Sequence, residues 1–134
     1  MTGTVLAVPR PVRAPARDAD SGAWTAGFTV AVTGDEPVFA GHYPDFPIFP
    51  GVCVMECVRG AAETAPPPDT GGLRLAAVES ARFLSAVHPG DELTVDITWS
   101  PRGGDTWRCA AKVATGRGPA ASVRLRYRQE ATPC

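Results

Sequence analysis

No stretch of this chain stays apolar long enough to span a bilayer, and no charged-then-apolar leader opens it. Thirteen basic residues stand against fourteen acidic ones, a net charge of −1, so no basic surplus points to DNA or RNA. Cysteine is scarce and badly spaced for metal. Cys53 and Cys57 lie four apart, without a Cys-x-x-Cys pair or a neighbouring histidine, so both read as small buried hydrophobes. Cys109 falls in a strand pattern, and Cys134 is the last residue. There is no internal repeat and no break in composition that would mark a second domain. What remains is one domain over 1–134, cytoplasmic by default, with no metal and no cofactor called for. A core of this size gains from association with a second chain.

The most informative run lies between Gly41 and Glu56. Pro44, Pro47 and Pro50 fix φ and push each preceding residue toward extended geometry, so the approach to Pro50 is stiff and non-helical. Pro50 suits the start of a helix. Gly51 follows, and without a Cβ its backbone N–H is open to close approach by a ligand. From Val52 to about Glu63 there is no proline, and Val52, Met55, Val58, Ala61 and Ala62 recur at helical spacing. Glu56 falls in the second turn, roughly 7–8 Å along the axis from Gly51. Its chain neighbours Cys53, Val54, Met55, Cys57 and Val58 are apolar, which predicts a carboxylate shielded from water. A base (His42), an acid (Glu56) and a helix N-terminus in a small volume suit proton transfer next to a carbonyl.

Elsewhere the pattern is that of strands. Trp24, Ala26, Phe28, Val30 and Val32 alternate with polar or small residues. Leu93, Val95, Ile97 and Trp99 repeat that period of two, as do Trp107, Cys109, Ala111 and Val113 after a Pro101-Arg102-Gly103-Gly104 turn. Val123, Leu125 and Tyr127 alternate with Arg124, Arg126 and Arg128, a stripe that reads as the solvated face of a strand. His88, in a His-Pro-Gly-Asp turn, has no catalytic neighbour in sequence and stays outside the site. One helix with several antiparallel strands gives an α+β domain.

The segment Gly41-His42-Tyr43-Pro44, with Pro47, Pro50-Gly51-Val52 and Glu56, resembles the signature of the bacterial 3-hydroxyacyl-ACP dehydratases of the FabZ type. Phe39-Ala40 and the segment Ala81-Arg82-Phe83 through Asp91-Glu92-Leu93 fit the same family, so the likeness spans roughly 36 to 128. It departs at Gly60, where the family usually has glutamine, and at Arg59, where a small residue is commoner. The resemblance implies a hot-dog fold, α+β, with one long central helix wrapped by a curved antiparallel β-sheet. It implies water loss from a 3-hydroxyacyl thioester on an acyl carrier protein, with His42 and Glu56 as the catalytic pair. The Gly51 N–H would serve the thioester oxygen, and Phe49, Val52 and Met55 would line the acyl tunnel. His42 is the candidate for taking the α-proton and Glu56 for protonating the departing hydroxyl, although residue types alone do not fix the direction. The resemblance further implies a dimer, with His42 of one protomer facing Glu56 of the other. A heterodimer with a second hot-dog chain and a hot-dog acyl thioesterase are the alternatives.

Overall fold

A computed structural model describes residues 5–37, 49–68 and 70–130. Six strands form one antiparallel sheet: β1 (Arg10–Arg17), β2 (Trp24–Ala31), β3 (Leu73–Phe83), β4 (Glu92–Pro101), β5 (Thr106–Thr115) and β6 (Gly118–Gln129), in the order β1-β2-β4-β5-β6-β3. Between β2 and β3 runs α1 (Gly51–Thr64), which packs against β4 and β6. The helix lies in the curve of the sheet, the hot-dog arrangement that the motif implied.

Period-two alternation builds this packing directly. Leu93, Val95, Ile97 and Trp99 on β4 are all buried, and so are Cys109, Ala111 and Val113 on β5 and Val123, Leu125 and Tyr127 on β6. Register places these residues side by side: Ile97 pairs with Ala111 and Ala111 with Val123, while Trp99 pairs with Cys109 and Cys109 with Leu125. Paired residues share a face, so one continuous apolar surface meets the helix. From α1 it receives Cys53, Val54, Cys57, Val58, Ala61 and Ala62. The short alanines at the far end bring the helix close to the sheet, where Trp99 and Tyr127 meet edge-on at 5.1 Å. Trp99 Nε1 donates to the carbonyl of Ala65 at 2.9 Å, which fixes the end of α1 against β4.

The apolar stripe of α1 differs from the one expected. Val52 is 69% exposed and Met55 is only half-buried, whereas Cys53, Val54 and Cys57 face the core. An i, i+3 count that starts at Val52 misses the shift, because the two cysteines carry a third of the buried face.

The sheet edges differ in character. Every residue of β1 is exposed, and Pro11 and Pro15 are tolerated there because an edge strand needs no ladder N–H on its outer side. Arg13 crosses β2 to meet Asp96 of β4 at 3.1 Å. Gly27 makes the room, since a Cβ there would come within 3.0 Å of Arg13 Nη1. At the other end, the turn before β4 is clamped by Arg117, whose guanidinium donates to both oxygens of Asp91 at 2.8 and 2.7 Å. That contact holds the Asp91 carboxyl down at about 2. The His88 N–H also donates to Asp91, so the His-Pro-Gly-Asp turn is a structural corner.

Replacing Trp99 with Phe removes the side-chain hydrogen bond to the Ala65 carbonyl and leaves that oxygen buried. Urea denaturation should show a loss of about 1–3 kcal/mol, with the far-UV spectrum unchanged.

Candidate functional site at the start of the helix

The helix begins where its sequence says it should. Pro50 is extended (φ −63°, ψ 156°) and its carbonyl accepts the N–H groups of Cys53 and Val54 at 2.9 and 3.1 Å. Among the described residues no side chain caps this end, and no acid sits in the first turn. The N–H groups of Gly51 and Val52 find no acceptor among the described residues, so the positive end of the helix is open. Phe49 holds the approach in place, with its N–H donating to the Val87 carbonyl at 2.7 Å.

A cavity of about 310 Å³ opens on this helix start. Phe49, Gly51, Val54, Phe83 and Leu84 contribute to its wall, together with the chain from Ser85 to Val87. Its size falls within the range of small-ligand sites. Phe83 is the residue that sequence analysis missed. Its ring lies so close over Gly51 that a Cβ there would meet ring carbons at 2.9–3.0 Å. The ring is 49% exposed, so it stands between the helix start and solvent. Of the three residues expected to line a tunnel, Phe49 does line this cavity. Val52 and Met55 are not in its wall; they lie on or near the outward side of α1.

Glu56 overturns one expectation. Its side chain is 53% exposed, not shielded. Residues adjacent in a helical sequence are about 100° apart around the axis, so Cys57 turns inward while Glu56 turns outward. Glu56 instead shares its face with Val52, Arg59 and Glu63, its i−4, i+3 and i+7 neighbours. Arg59 lies 3.8 Å from Glu56 and donates to Glu63 at 2.8 Å. Glu63 also accepts from the Tyr127 hydroxyl at 3.0 Å, which ties this outer chain of charges to the core of β6. Burial first, then the Glu63 charge, pushes the Tyr127 hydroxyl up, so it serves as a donor and not as a base. The departure at Arg59 thus has a local role, and the i+3 and i−4 spacing to two glutamates was its sequence signal. Gly60, the other departure, leaves room for Pro9: a Cβ there would touch the proline ring at 3.4 Å.

Beneath the helix lies a second acid that sequence analysis passed over. Glu36 is only 2% exposed; its Oε1 accepts the Leu6 N–H at 2.8 Å, and its Oε2 has no partner among the described residues. Burial first, then the Glu36 charge, pushes the Cys57 thiol up to about 12, and Cys53 moves in the same direction. Both thiols are therefore neutral near pH 7 and supply no nucleophile. Among the described residues no group of His, Cys, Asp and Glu is placed to hold a metal ion. His42, with the rest of Gly41–Pro47, lies outside the described residues.

A family model described as ApeI-like, ApeI dehydratase, matches residues 18–118. The FabZ 3-hydroxyacyl-[acyl-carrier-protein] dehydratase of Dechloromonas aromatica is 35% identical over 102 residues, covering 70% of this chain and 70% of its own. Its counterpart in Neisseria meningitidis serogroup C is 38% identical over 90 residues, covering 61% and 60%. Among solved structures, the dehydratase heterocomplex ApeI:P from Xenorhabdus doucetiae gives a TM-score of 0.63 at 19% identity, over 90% of this chain and 98% of that one. A Streptococcus mutans protein bound to acetyl CoA gives 0.72 at 12% identity, over 97% and 94%. At such identities these structures show a shared hot-dog fold.

The close contact of Phe83 with Gly51 is testable without any substrate. Gly51→Ala should cost about 1 kcal/mol in urea denaturation, because the half-exposed ring must swing aside. In a Phe83→Ala background the same substitution should cost nothing further, a coupling read from the double-mutant cycle.

Proposed function

The chain belongs to the ApeI-like dehydratase family, and from that premise we propose that it removes water from a 3-hydroxyacyl thioester held on an acyl carrier protein, leaving the trans-2-enoyl thioester. The observation that carries this reading is the open helix start at Gly51, facing a cavity walled by Phe49, Val54 and Phe83, with Glu56 one turn further along the same helix.

The reaction must break a C–H bond of low acidity and expel hydroxide, a poor leaving group unless protonated. His42 takes the proton from the carbon next to the thioester carbonyl, as a neutral imidazole with a reference pKa of about 6.5 is able to do. The electrons released move toward the thioester oxygen. The Gly51 N–H donates to that oxygen, and such a backbone donor is worth about 10²–10³ in rate in other enzymes. The enolate collapses, the bond to the 3-hydroxyl breaks, and Glu56 supplies the proton that makes water the leaving group. His42 ends protonated and Glu56 ionised, and one proton returned from His42 to Glu56 through solvent resets the pair.

The exposure of Glu56 bears on how the site is assembled. In the chain on its own the Glu56 side chain is 53% exposed and lies 3.8 Å from Arg59, open to solvent and not enclosed with a substrate. A second hot-dog chain that covers the Val52–Glu56 face of α1 excludes water from around the carboxylate and brings a histidine from across the interface. Val52, 69% exposed on the same face, is the apolar residue such a partner would bury. The same observation keeps a heterodimer in view alongside a homodimer, since either would cover this face.

The test is water loss from a carrier-borne 3-hydroxyacyl chain, followed by intact mass, with free thiol monitored in parallel. His42→Ala and Glu56→Gln should each lower kcat by at least about 10², with the melting temperature within a few degrees of the parent. Thiol release in place of water loss would make the chain a thioesterase. Substantial turnover by either variant would remove that residue from the site.

A further inference from the structure

The outer face of the sheet, away from α1, collects positive charge that the overall balance of the chain hides. Register shows how it is gathered. One row across β3, β6 and β5 runs Arg82, Ser122, Lys112. The next places Ser80 beside Arg124, the third sets Arg126 beside Arg108, and the last sets Arg74 beside Arg128 and Thr106. Arg102, in the turn after β4, borders the same region. Eight of the thirteen basic residues of the chain therefore lie on these three strands and one turn.

Few acids answer them. Glu79 takes Arg108 at 2.8 Å and Arg126 at 3.8 Å, Asp105 lies 4.0 Å from Arg128, and Glu130 closes the end near Arg74. The cations at the other end, Arg82, Lys112 and Arg124, take part in no ion pair among the described residues. Lys112 does stand opposite Asp96 in the register, but Arg13 engages that carboxylate. A chain of net charge −1 gathers eight of its basic residues on one surface. Arg74 and Arg102 at the far end also make no ion pair among the described residues, but Glu130 lies near Arg74, whereas no acid pairs with the three nearest the candidate site.

That end is also the one beside the candidate site. Arg82 precedes Phe83, whose ring covers Gly51. Next to Lys112 and Ser122 runs an apolar groove of about 420 Å³, walled by Leu84, Val113, Pro119 and Ala121. Leu84 is shared between this groove and the cavity at the helix start. It is 53% exposed, which is high for a leucine in a wall common to two concavities.

We propose that this corner of the sheet, Arg82, Lys112 and Arg124 around the Leu84–Pro119 groove, is where an acidic carrier protein docks. The inference rests on the function proposed above and names the surface through which that site receives its substrate. Charge selects the partner: an acidic helix meets three unpaired cations, which raises the rate of encounter and sets orientation. The groove accepts an apolar side chain from the same helix, supplying the non-polar centre that a small interface needs. A thioester arm leaving the carrier at this point crosses Leu84 and Phe83 to enter the cavity at Gly51. Nucleic acid would meet the same charges but has no use for the groove.

The experiment compares the parent, an Arg82→Glu/Arg124→Glu double variant and an Arg10→Glu control on the distant β1 edge. Binding of an unacylated, arm-bearing carrier protein is measured by fluorescence anisotropy at two salt concentrations. Turnover is then compared between carrier-borne substrate and the same acyl chain on a short soluble thioester. The double variant should weaken carrier binding about tenfold at low salt and less at high salt. Its kcat/KM ratio of carrier substrate to short thioester should fall by a similar factor, while the control stays within about twofold of the parent. A double variant that binds as the parent does overturns the proposal. So does an equal loss in the Arg10 control, or a parent that binds single-stranded RNA in preference to the carrier. Loss of binding in the double variant, with no water loss from either substrate by the parent, would uphold the docking surface and refute the dehydratase reading.

Discussion

Everything at the candidate site follows from one packing constraint, the burial of a single face of α1 in the curve of the sheet. Cys53, Val54, Cys57, Val58, Ala61 and Ala62 are committed to the core, against the inner residues of β4, β5 and β6. A helix with that face pinned has no rotational freedom left. Val52, Glu56, Arg59 and Glu63 must then point away from the sheet, and Gly51 must end where Phe49 and Phe83 close round it. The Trp99 bond to the Ala65 carbonyl fixes the helix at its far end, so its axial position is held as well. Position along the axis and rotation about it are the two quantities that aim the Gly51 N–H and the Glu56 carboxylate.

Much of this was legible in the chain itself. The strands of β2, β4, β5 and β6 show clean alternation because each has one buried face, and the residues read as inward-facing are buried except Trp24 and Trp107, which are only partly so. Cysteine as a core residue was legible from spacing and composition, and the raised thiols of Cys53 and Cys57 agree with it. The strand β1 was not legible. All of its residues are exposed, so no alternation marks it, and its prolines argue locally against a strand that only the sheet edge permits.

The site was legible in part, for reasons that differ by residue. Gly51 was found from the proline before it, since the start of a helix is a local event. Phe49, expected from family resemblance to line an acyl tunnel, lines the cavity at the helix start. Phe83 was missed because its contact with Gly51 spans more than thirty positions and depends on how β3 ends. Glu56 was placed on the right helix but given the wrong surroundings, since apolar neighbours in sequence point to other faces. Glu36 carried no pattern at all, and its burial is a tertiary fact. The arginine stripe of β6 was correctly a solvated face, but only the register adds Arg82 and Lys112 to Arg124.

The exposed face of α1 and the basic corner of the sheet have a common logic. Both are surfaces where this chain, folded alone, leaves chemistry unfinished: an acid open to solvent, and cations with no ion pair among the described residues. A shared site between two chains would resolve the first, and it can be tested without a further structure. His42→Ala and Glu56→Gln, each purified as an inactive protein, would be mixed under conditions that let subunits exchange and then assayed for water loss. If each site takes His42 from one chain and Glu56 from its partner, mixed dimers contain one intact site, and about a quarter of parental activity should return. A mixture that stays inactive, while parental protein keeps its activity through the same exchange, would contradict a site divided between two copies of this chain.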